Sequence, residues 1–281
     1  MKAKLTTIAF FSIIAMLAGK VNAIPPQHSQ QITAPNPIIT SQAQEKLDVA
    51  LLVKAITAFL QSDRYQTESE IKFNVGTQGT QIGLKLKTNT LAQSGNKFRS
   101  EITFLDSTAA TKSGNLVVSN GKQVWIYRAD LKQYALTSYK EFYNSGQWIF
   151  VSIGALSFLE LPEAERQAIA EGNLSDKDAL ESLGLASNKL IKGERRTVDG
   201  ESFYIYNYKD PKEGFTLSGF VEPETANLKQ IQVVGKSQEL DIQYTEKILA
   251  RTANPTISSD TFTFTPPPGT KKVRSLSITP F

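Results

Sequence analysis

Apolar and polar residues alternate along three consecutive stretches, at residues 65–75, 80–88 and 97–105. In the first stretch Ile71, Phe73 and Val75 lie on one side, and charged or polar residues lie between them. A period of two residues is that of a β-strand with one buried face. Strands of this kind in series predict an antiparallel sheet with one face in water.

Two dipeptides predict tight turns between strands. Asn120-Gly121 and Asp199-Gly200 each stand between two β-like stretches, as is typical of two-residue hairpin loops. Further alternating stretches follow up to Phe262 and Phe264, which predict a last strand ending at the Pro-Pro-Pro-Gly sequence of residues 266–269. The pattern predicts about ten strands in all.

Two regions have helical character instead. Residues 41–62 follow a Ser or Thr cap at position 40 or 41 and carry an apolar stripe, which predicts an amphipathic helix. Residues 147–161 are strongly apolar, lie between Gly146 and Pro162, and predict helical segments inserted between two groups of strands. Helical character is also expected in residues 163–172 and 175–184.

These elements predict a mainly β (α+β) fold, with one strongly curved antiparallel sheet wrapped over helices. No internal repeat and no second linker follows residue 41, so residues 41–281 are expected to form one domain.

The first 23 residues have the pattern of a secretory signal peptide. Lys2 and Lys4 precede an apolar stretch, Ile8 to Ala18, that is too short to span a membrane, and a small-residue cleavage site ends at Ala23. Residues 24–40 hold four prolines and predict a flexible linker rich in Pro and Gln. We therefore expect a periplasmic or secreted protein.

Charge and composition argue against several classes of protein. Removing residues 1–23 removes three of the 31 basic residues and none of the 27 acidic ones, so the net charge falls from +4 to +1 and does not favour nucleic acid as a partner. The chain has no cysteine, which excludes disulfides and thiolate chemistry. Its one histidine, His28, lies in the linker, so we expect no catalytic residue, no metal site and no cofactor.

The supply of apolar side chains leaves two alternatives open. The predicted helices either fill the concave side of the sheet and make a core, or leave a cavity there. A cavity of this composition would suit an acyl chain, because burial of each methylene contributes about 0.8 kcal/mol without any polar contact.

Three motifs resemble those of LolA-type lipoprotein carriers. Residues 119–133 contain SNGKQVWIY and DLKQ, which resemble the family's D-G-K-x-x-W-x-Y hairpin and the Gln after it. Residues 227–231, NLKQI, resemble an N-L-x-x-hydrophobic strand, and residues 262–269, FTFTPPPG, resemble the near-terminal F-x-F-x-P-P-x-G signature. The resemblance extends over residues 41–275 and includes the LolB, LppX and RseB-type relatives.

The resemblance implies a half-open barrel with a helical lid over a hydrophobic cavity, and periplasmic, non-catalytic binding of lipid or lipoprotein acyl chains. We expect the lid, residues 148–161, to face the concave side of the sheet. The residues expected to line the cavity are Leu84, Leu86, Phe98, Ile102, Phe104, Trp125, Phe150, Ile153, Leu156 and Phe158.

Three functions follow as hypotheses. The first is a carrier of lipids or lipoproteins. The second is an RseB-like envelope sensor that acts through a membrane protein partner. The third is an envelope hydrolase that uses carboxylates on the polar faces of strands.

Overall fold

The computed structural model describes residues 47–77, 80–105, 114–160, 163–170, 191–210, 214–237 and 240–279. The predictions of a signal peptide, of a linker and of a helix at residues 175–184 lie outside these residues. Within them the chain is mainly β, with one large sheet and few helices.

Twelve strands of the described residues form the sheet. The strands are β1 (Arg64–Thr77), β2 (Thr80–Gln93), β3 (Lys97–Phe104), β4 (Gly114–Asn120), β5 (Gln123–Arg128), β6 (Gln133–Ser138), β7 (Ile191–Val198), β8 (Glu201–Lys209), β9 (Thr216–Val221), β10 (Leu228–Ser237), β11 (Leu240–Ala253) and β12 (Lys271–Val273). Their order across the sheet is β12-β6-β5-β4-β3-β2-β1-β11-β10-β9-β8-β7. Neighbours in this order are antiparallel except β12 and β6, which are parallel, and the sheet is not closed.

The alternation of residues 65–105 is confirmed. Ile71, Phe73 and Val75 are buried in β1, and the residues between them are half-buried or exposed. Both predicted hairpin turns are present, with a positive φ at Gly121 in one turn and at Asp199 in the other. These left-handed conformations match the twist of the flanking strands.

One prediction about the strands is wrong. The described residues form a sheet of twelve strands, where about ten were predicted, but the last predicted strand is absent. Phe262 and Phe264 belong to no strand. The sheet does not end at the Pro-Pro-Pro-Gly sequence, because a short strand, β12, follows it. The physical reason is that prolines 266–268 have no N–H to donate to a ladder. Phe264 instead packs through its ring.

Four α-helices lie in the described residues: α1 (Val49–Leu60), α2 (Tyr139–Asn144), α3 (Ile153–Leu156) and α4 (Glu163–Ala170). Two 3₁₀ turns, Gln147–Phe150 and Ser157–Glu160, flank α3. We refer to residues 139–160 as the helical segment. The α1 helix begins after Asp48, whose carboxylate accepts a hydrogen bond from the backbone N–H of Leu51 (3.0 Å). The predicted cap at residue 40 or 41 lies outside the described residues.

Two apolar clusters lie on the inner face of the sheet. The main core contains residues from strands β1 through β5, from strands β9 through β11 and from the helical segment. A second cluster joins Leu51 and Ala55 of α1 with Tyr204 and Tyr206 of β8. The α1 helix therefore packs mainly against the β7–β9 half of the sheet, while its last residues, Phe59 and Leu60, belong to the main core.

The structure also shows which face of β5 points inward. Val124 and Ile126 are buried in the main core. Trp125 and Tyr127 point to the outer face, where the ring of Phe264 packs at centroid distances of 6.5 Å and 5.9 Å. Phe264 of the near-terminal Phe motif therefore packs on the outer face of the sheet, and Trp125 lies on the side opposite to the core.

Candidate ligand groove

The α1 helix is fixed to the structure at both ends. At its start, the backbone N–H of Asp48 donates to Tyr204 Oη (2.9 Å), and Tyr206 Oη donates to the carbonyl of Asp48 (2.7 Å). At its end, the guanidinium of Arg251 lies 3.9 Å from the ring centre of Phe59 and donates to the Phe59 carbonyl (3.2 Å). These contacts at both ends therefore fix the distance between the middle of α1 and strands β8 to β10.

An open apolar groove of about 90 Å³ lies between α1 and this part of the sheet. Its walls come from one side of α1 and from the inner face of β7 to β10. The lining residues are Leu52, Ala55, Ile56, Phe59, Ile191, Tyr206, Tyr208, Leu217, Ser218, Gly219, Val221, Leu228 and Ile231.

The groove includes a strand glycine, Gly219, that no aromatic side chain covers. A Cβ added to Gly193 would meet Tyr204 Oη at 2.2 Å, and a Cβ added to Gly235 would meet the ring of Phe215 at 2.2 Å. An aromatic side chain thus fills the space at both of those glycines. At Gly219 the nearest atom is Leu228 Cδ1, at 3.5 Å, which is an ordinary contact. A glycine inside a strand often marks a place where another group approaches the backbone.

The groove offers little chemistry beyond apolar contact. Its lining, as far as the described residues define it, contains no Asp, Glu, Lys, Arg or His. The hydroxyl of Tyr206 is engaged with Asp48, and Ser218 Oγ donates to Asn207 Oδ1 (2.6 Å). Burial raises the pKa of Tyr206 above its ordinary value, and burial likewise raises the pKa of Tyr208. Both phenols are therefore neutral at physiological pH.

The residues that the sequence predicted as cavity lining lie elsewhere. Eight of them, all except Trp125 and Phe150, are buried in the main core, and Phe150 is half-buried against it. Rings from the helical segment pack edge-on against the sheet, with Phe158 5.1 Å from Tyr65 and Phe150 5.7 Å from Phe73. None of the ten is among the groove residues given above. That a ligand reaches them stays a prediction.

Sequence reasoning missed a buried carboxylate, Glu246 on β11, which has no exposed surface. It accepts hydrogen bonds from Ser69 Oγ (2.7 Å), Ser152 Oγ (2.5 Å) and Tyr244 Oη (2.7 Å), and from the backbone N–H of Gly154 (3.0 Å). Two of these donors belong to the helical segment. A signal was present in the sequence, because Glu246 alternates with Tyr244 and Ile248 on the apolar face of its strand.

A second charged residue, Arg251, binds the backbone of the same residue, Gly154, at its carbonyl. Arg251 Nη1 donates to the carbonyl of Gly154 (2.6 Å), and its guanidinium lies 3.8 Å from the ring centre of Tyr65. Burial lowers the pKa of Arg251 to about 10, so it remains a cation at physiological pH. We refer to Glu246 and Arg251 as the β11 clamp, because they bind the N–H and the carbonyl of Gly154.

A β-bulge brings both clamp residues to the same face. Glu246 and Ile248 face inward, and the register between β1 and β11 then shifts, so that Ala250 pairs with Glu68 and Ile248 with Ser69. The extra residue, Leu249, is 55% exposed. Beyond it Arg251 pairs with the fully buried Thr67 and faces inward. Bulges commonly re-aim side chains in this way.

The described residues contain no group of three or more His, Cys, Asp or Glu side chains placed to hold a metal ion. They also contain no helix with the length and apolar character needed to cross a bilayer.

Comparison with known proteins gives remote structural similarity. No protein-family description matches the sequence, and no curated protein matches it either. Among solved structures, an uncharacterized conserved protein from Thermus thermophilus is 11% identical with a TM-score of 0.41, and the match covers 80% of this chain and 99% of that one. LprF from Mycobacterium bovis is 14% identical with a TM-score of 0.37, covering 76% of this chain and 96% of that one.

A LolA superfamily protein from Nitrosomonas europaea is 9% identical with a TM-score of 0.30, and the match covers 76% of this chain and 96% of that one. At TM-scores below 0.5, these matches carry no argument about the fold, a ligand or a partner.

Proposed function

We propose that the chain is an exported, non-catalytic binding protein for an acyl chain of a lipid or lipoprotein, which it holds in the groove under α1. The observation that carries the proposal is the inner face of Gly219, which no aromatic side chain fills, within an apolar lining. The signal peptide predicted in residues 1–23 supports export, with the periplasm as the expected compartment.

The size of the groove supports a chain rather than a bulky ligand. Closed apolar cavities of about 150 Å³ bind benzene in other proteins. A groove of about 90 Å³ with one open side therefore suits the end of an alkyl chain, with the remaining methylenes along the opening. Each further methylene that leaves water should strengthen binding about fourfold, from about 0.8 kcal/mol.

The absence of charged side chains from the groove lining supports binding without catalysis. A general acid, base or nucleophile must lie within hydrogen-bond distance of the reacting group. The titratable side chains that line the groove are the two tyrosines, which stay neutral for the reason given above. We therefore propose no enzymatic activity at this site.

The proposal includes the half-open barrel and the lid expected from the sequence. In it the helical segment is the lid, held closed by the β11 clamp, and the main core beneath it is filled in the closed state. The ten predicted lining residues would then contact a ligand only when the lid lifts.

The groove is tested by filling it. In Gly219→Leu the added Cβ has room, and the remaining three carbons extend toward the space that a ligand would occupy. We expect the affinity for a fluorescent fatty acid to fall at least tenfold, while the melting temperature stays the same or rises. Gly219→Ala is the matched control and should bind within about twofold of wild type.

A series of straight-chain alcohols gives the second readout, because displacement of the probe should strengthen by about fourfold per methylene until the groove is full. Equal probe binding by wild type and Gly219→Leu, with both proteins folded, would rule out this groove as the acyl site.

A further inference from the structure

Residues 271–279 form a tail, and its last described residues lie in a slot made by Asn115, Arg128 and Gln147. The side chains of the slot bind the backbone of the tail. The side chain of Ile278 has no exposed surface and belongs to the main core. Asn115 Nδ2 donates to the Ile278 carbonyl (2.6 Å), the Ile278 N–H donates to Gln147 Oε1 (2.8 Å), and Arg128 Nη1 donates to the Thr279 carbonyl (2.8 Å). Three side chains from three different elements thus recognise two consecutive residues of the tail.

The floor of the slot is one row of the sheet. Asn115 pairs with Ile102 on one side and with Arg128 on the other, and all three side chains are buried on the inner face. Gln147 closes the slot from the helical segment. Arg128 is oriented by Asp130, which accepts from its Nε (3.1 Å) and Nη2 (2.5 Å). The guanidinium of Arg128 is therefore positioned by the fold independently of the tail.

Apart from the hydrogen bonds of the slot, a short strand and one fully buried side chain attach the described part of the tail to the sheet. Lys271, Lys272, Arg274 and Ser275 are exposed, and β12, which pairs with β6 over three residues, is its only strand among the described residues. Ile278 is the one residue of 271–279 with no exposed surface. A single buried aliphatic anchor, with backbone groups bound by fixed side chains, is how peptide-binding sites hold extended segments.

We propose that this slot is a peptide-binding site, that residues 275–279 are its resident ligand, and that an extended segment of a partner protein with an aliphatic residue in the place of Ile278 can replace them. The contacts favour a peptide over a lipid, because all three hydrogen bonds go to backbone N–H and carbonyl groups. The slot shares no lining residue with the groove under α1. The proposed peptide site can therefore be tested independently of the proposed acyl-chain site.

The test uses the full chain with Ile278→Ser, which removes the anchor but keeps the covalent tail. The probe is a labelled peptide of residues 275–279, SLSIT, blocked at both ends, and its binding is followed by fluorescence anisotropy. We expect saturable binding to Ile278→Ser and at least tenfold weaker binding to the wild-type chain, because a tethered ligand competes at millimolar effective concentration.

Two changes should abolish this binding. A peptide with Asp in place of Ile should fail to bind Ile278→Ser, and adding Asn115→Ala to that chain should weaken the SLSIT peptide at least tenfold. Leu249→Ser, at an exposed position outside the slot, is the matched control and should not create binding. No binding by folded Ile278→Ser, or equal binding of the Asp peptide, would overturn the proposal.

A measurement on the wild-type chain covers the case in which Ile278→Ser does not fold. Trypsin can cut after the exposed Arg274 once the tail leaves the slot. Excess SLSIT peptide should speed this cleavage at least twofold, because it occupies the slot while the tail is out. A cleavage rate that does not respond to the peptide, or that responds equally to a fatty acid, would contradict a peptide site.

Discussion

Replacing Glu246 by glutamine removes the carboxylate of the β11 clamp and keeps the shape of the side chain. Four groups donate to this buried carboxylate, and two of them, Ser152 Oγ and the N–H of Gly154, come from the helical segment. An amide keeps one acceptor oxygen and presents an NH₂ group in place of the other. The three hydroxyl donors can turn, but the backbone N–H of Gly154 cannot.

The expected cost follows from these contacts. The lowest-energy arrangement keeps the amide oxygen toward Gly154 and Tyr244 and lets the serine hydroxyls accept from the NH₂ group. All four hydrogen bonds then become neutral, and each loses about half of its charge-assisted strength. Arg251 also loses a nearby counter-charge. We expect Glu246→Gln to lower the free energy of unfolding by about 3 kcal/mol, a large fraction of a typical total.

Urea unfolding followed by tryptophan fluorescence measures this loss, since Trp148 is buried in the helical segment. Glu101→Gln, an exposed residue of β3, is the matched control and should change stability by less than about 0.5 kcal/mol. If Glu246→Gln were as stable as Glu101→Gln, the carboxylate would not be holding the helical segment, and the reasoning about the clamp would be wrong.

Two further predictions concern the clamp and the slot. In Gly154→Ala the new Cβ would lie 3.0 Å from Ile248 Cδ1 and 3.1 Å from Glu246 Oε1, so we expect a loss of about 1–3 kcal/mol, measured by thermal unfolding. Gly114→Ala is the control, because its added Cβ would meet no atom within 4 Å and its φ is not positive. Hydrogen bonds from Arg128 hold the pKa of Asp130 below its ordinary value of 3.8. A carboxyl group whose pKa is lower in the folded than in the unfolded protein stabilises the fold at pH values above its unfolded pKa. This stabilisation is lost as the pH falls through the folded pKa. Asp130→Asn should therefore remove part of the loss of stability below about pH 4, and an unchanged acid limb in unfolding curves would contradict the Arg128 pairing.

The alternation of apolar and polar residues in the sequence predicted most of the strands of the fold. In β1 the burial of Ile71, Phe73 and Val75 follows directly from the sequence, because each apolar side chain faces a core that its neighbours also face. The hairpin at Asp199-Gly200 was equally readable, since few residues tolerate positive φ at both turn positions. Phe262 and Phe264 show where the pattern fails: the same alternation arises when one phenylalanine packs on the outer face of a sheet without pairing to it.

The candidate site was much less predictable. A glycine in a strand shows that a side chain is missing, but not whether a neighbour fills the space. Gly193, Gly219 and Gly235 look alike in the sequence, and only the positions of Tyr204 and Phe215 distinguish them. The ten predicted lining residues are apolar for the reason that core residues are apolar, so their composition could not separate a cavity from a packed interior.

The bulge at Leu249 has a consequence for how β11 tolerates change. Because this side chain is largely exposed, its identity should matter little, and polar replacements should be accepted there. Removal of Leu249 should also be tolerated, because Ala250 already pairs with Glu68 and Arg251 with Thr67, so loss of the extra residue would give a regular ladder in which Arg251 still faces inward. Relatives that share the clamp should therefore either vary in residue type at this position or lack the residue together with the bulge.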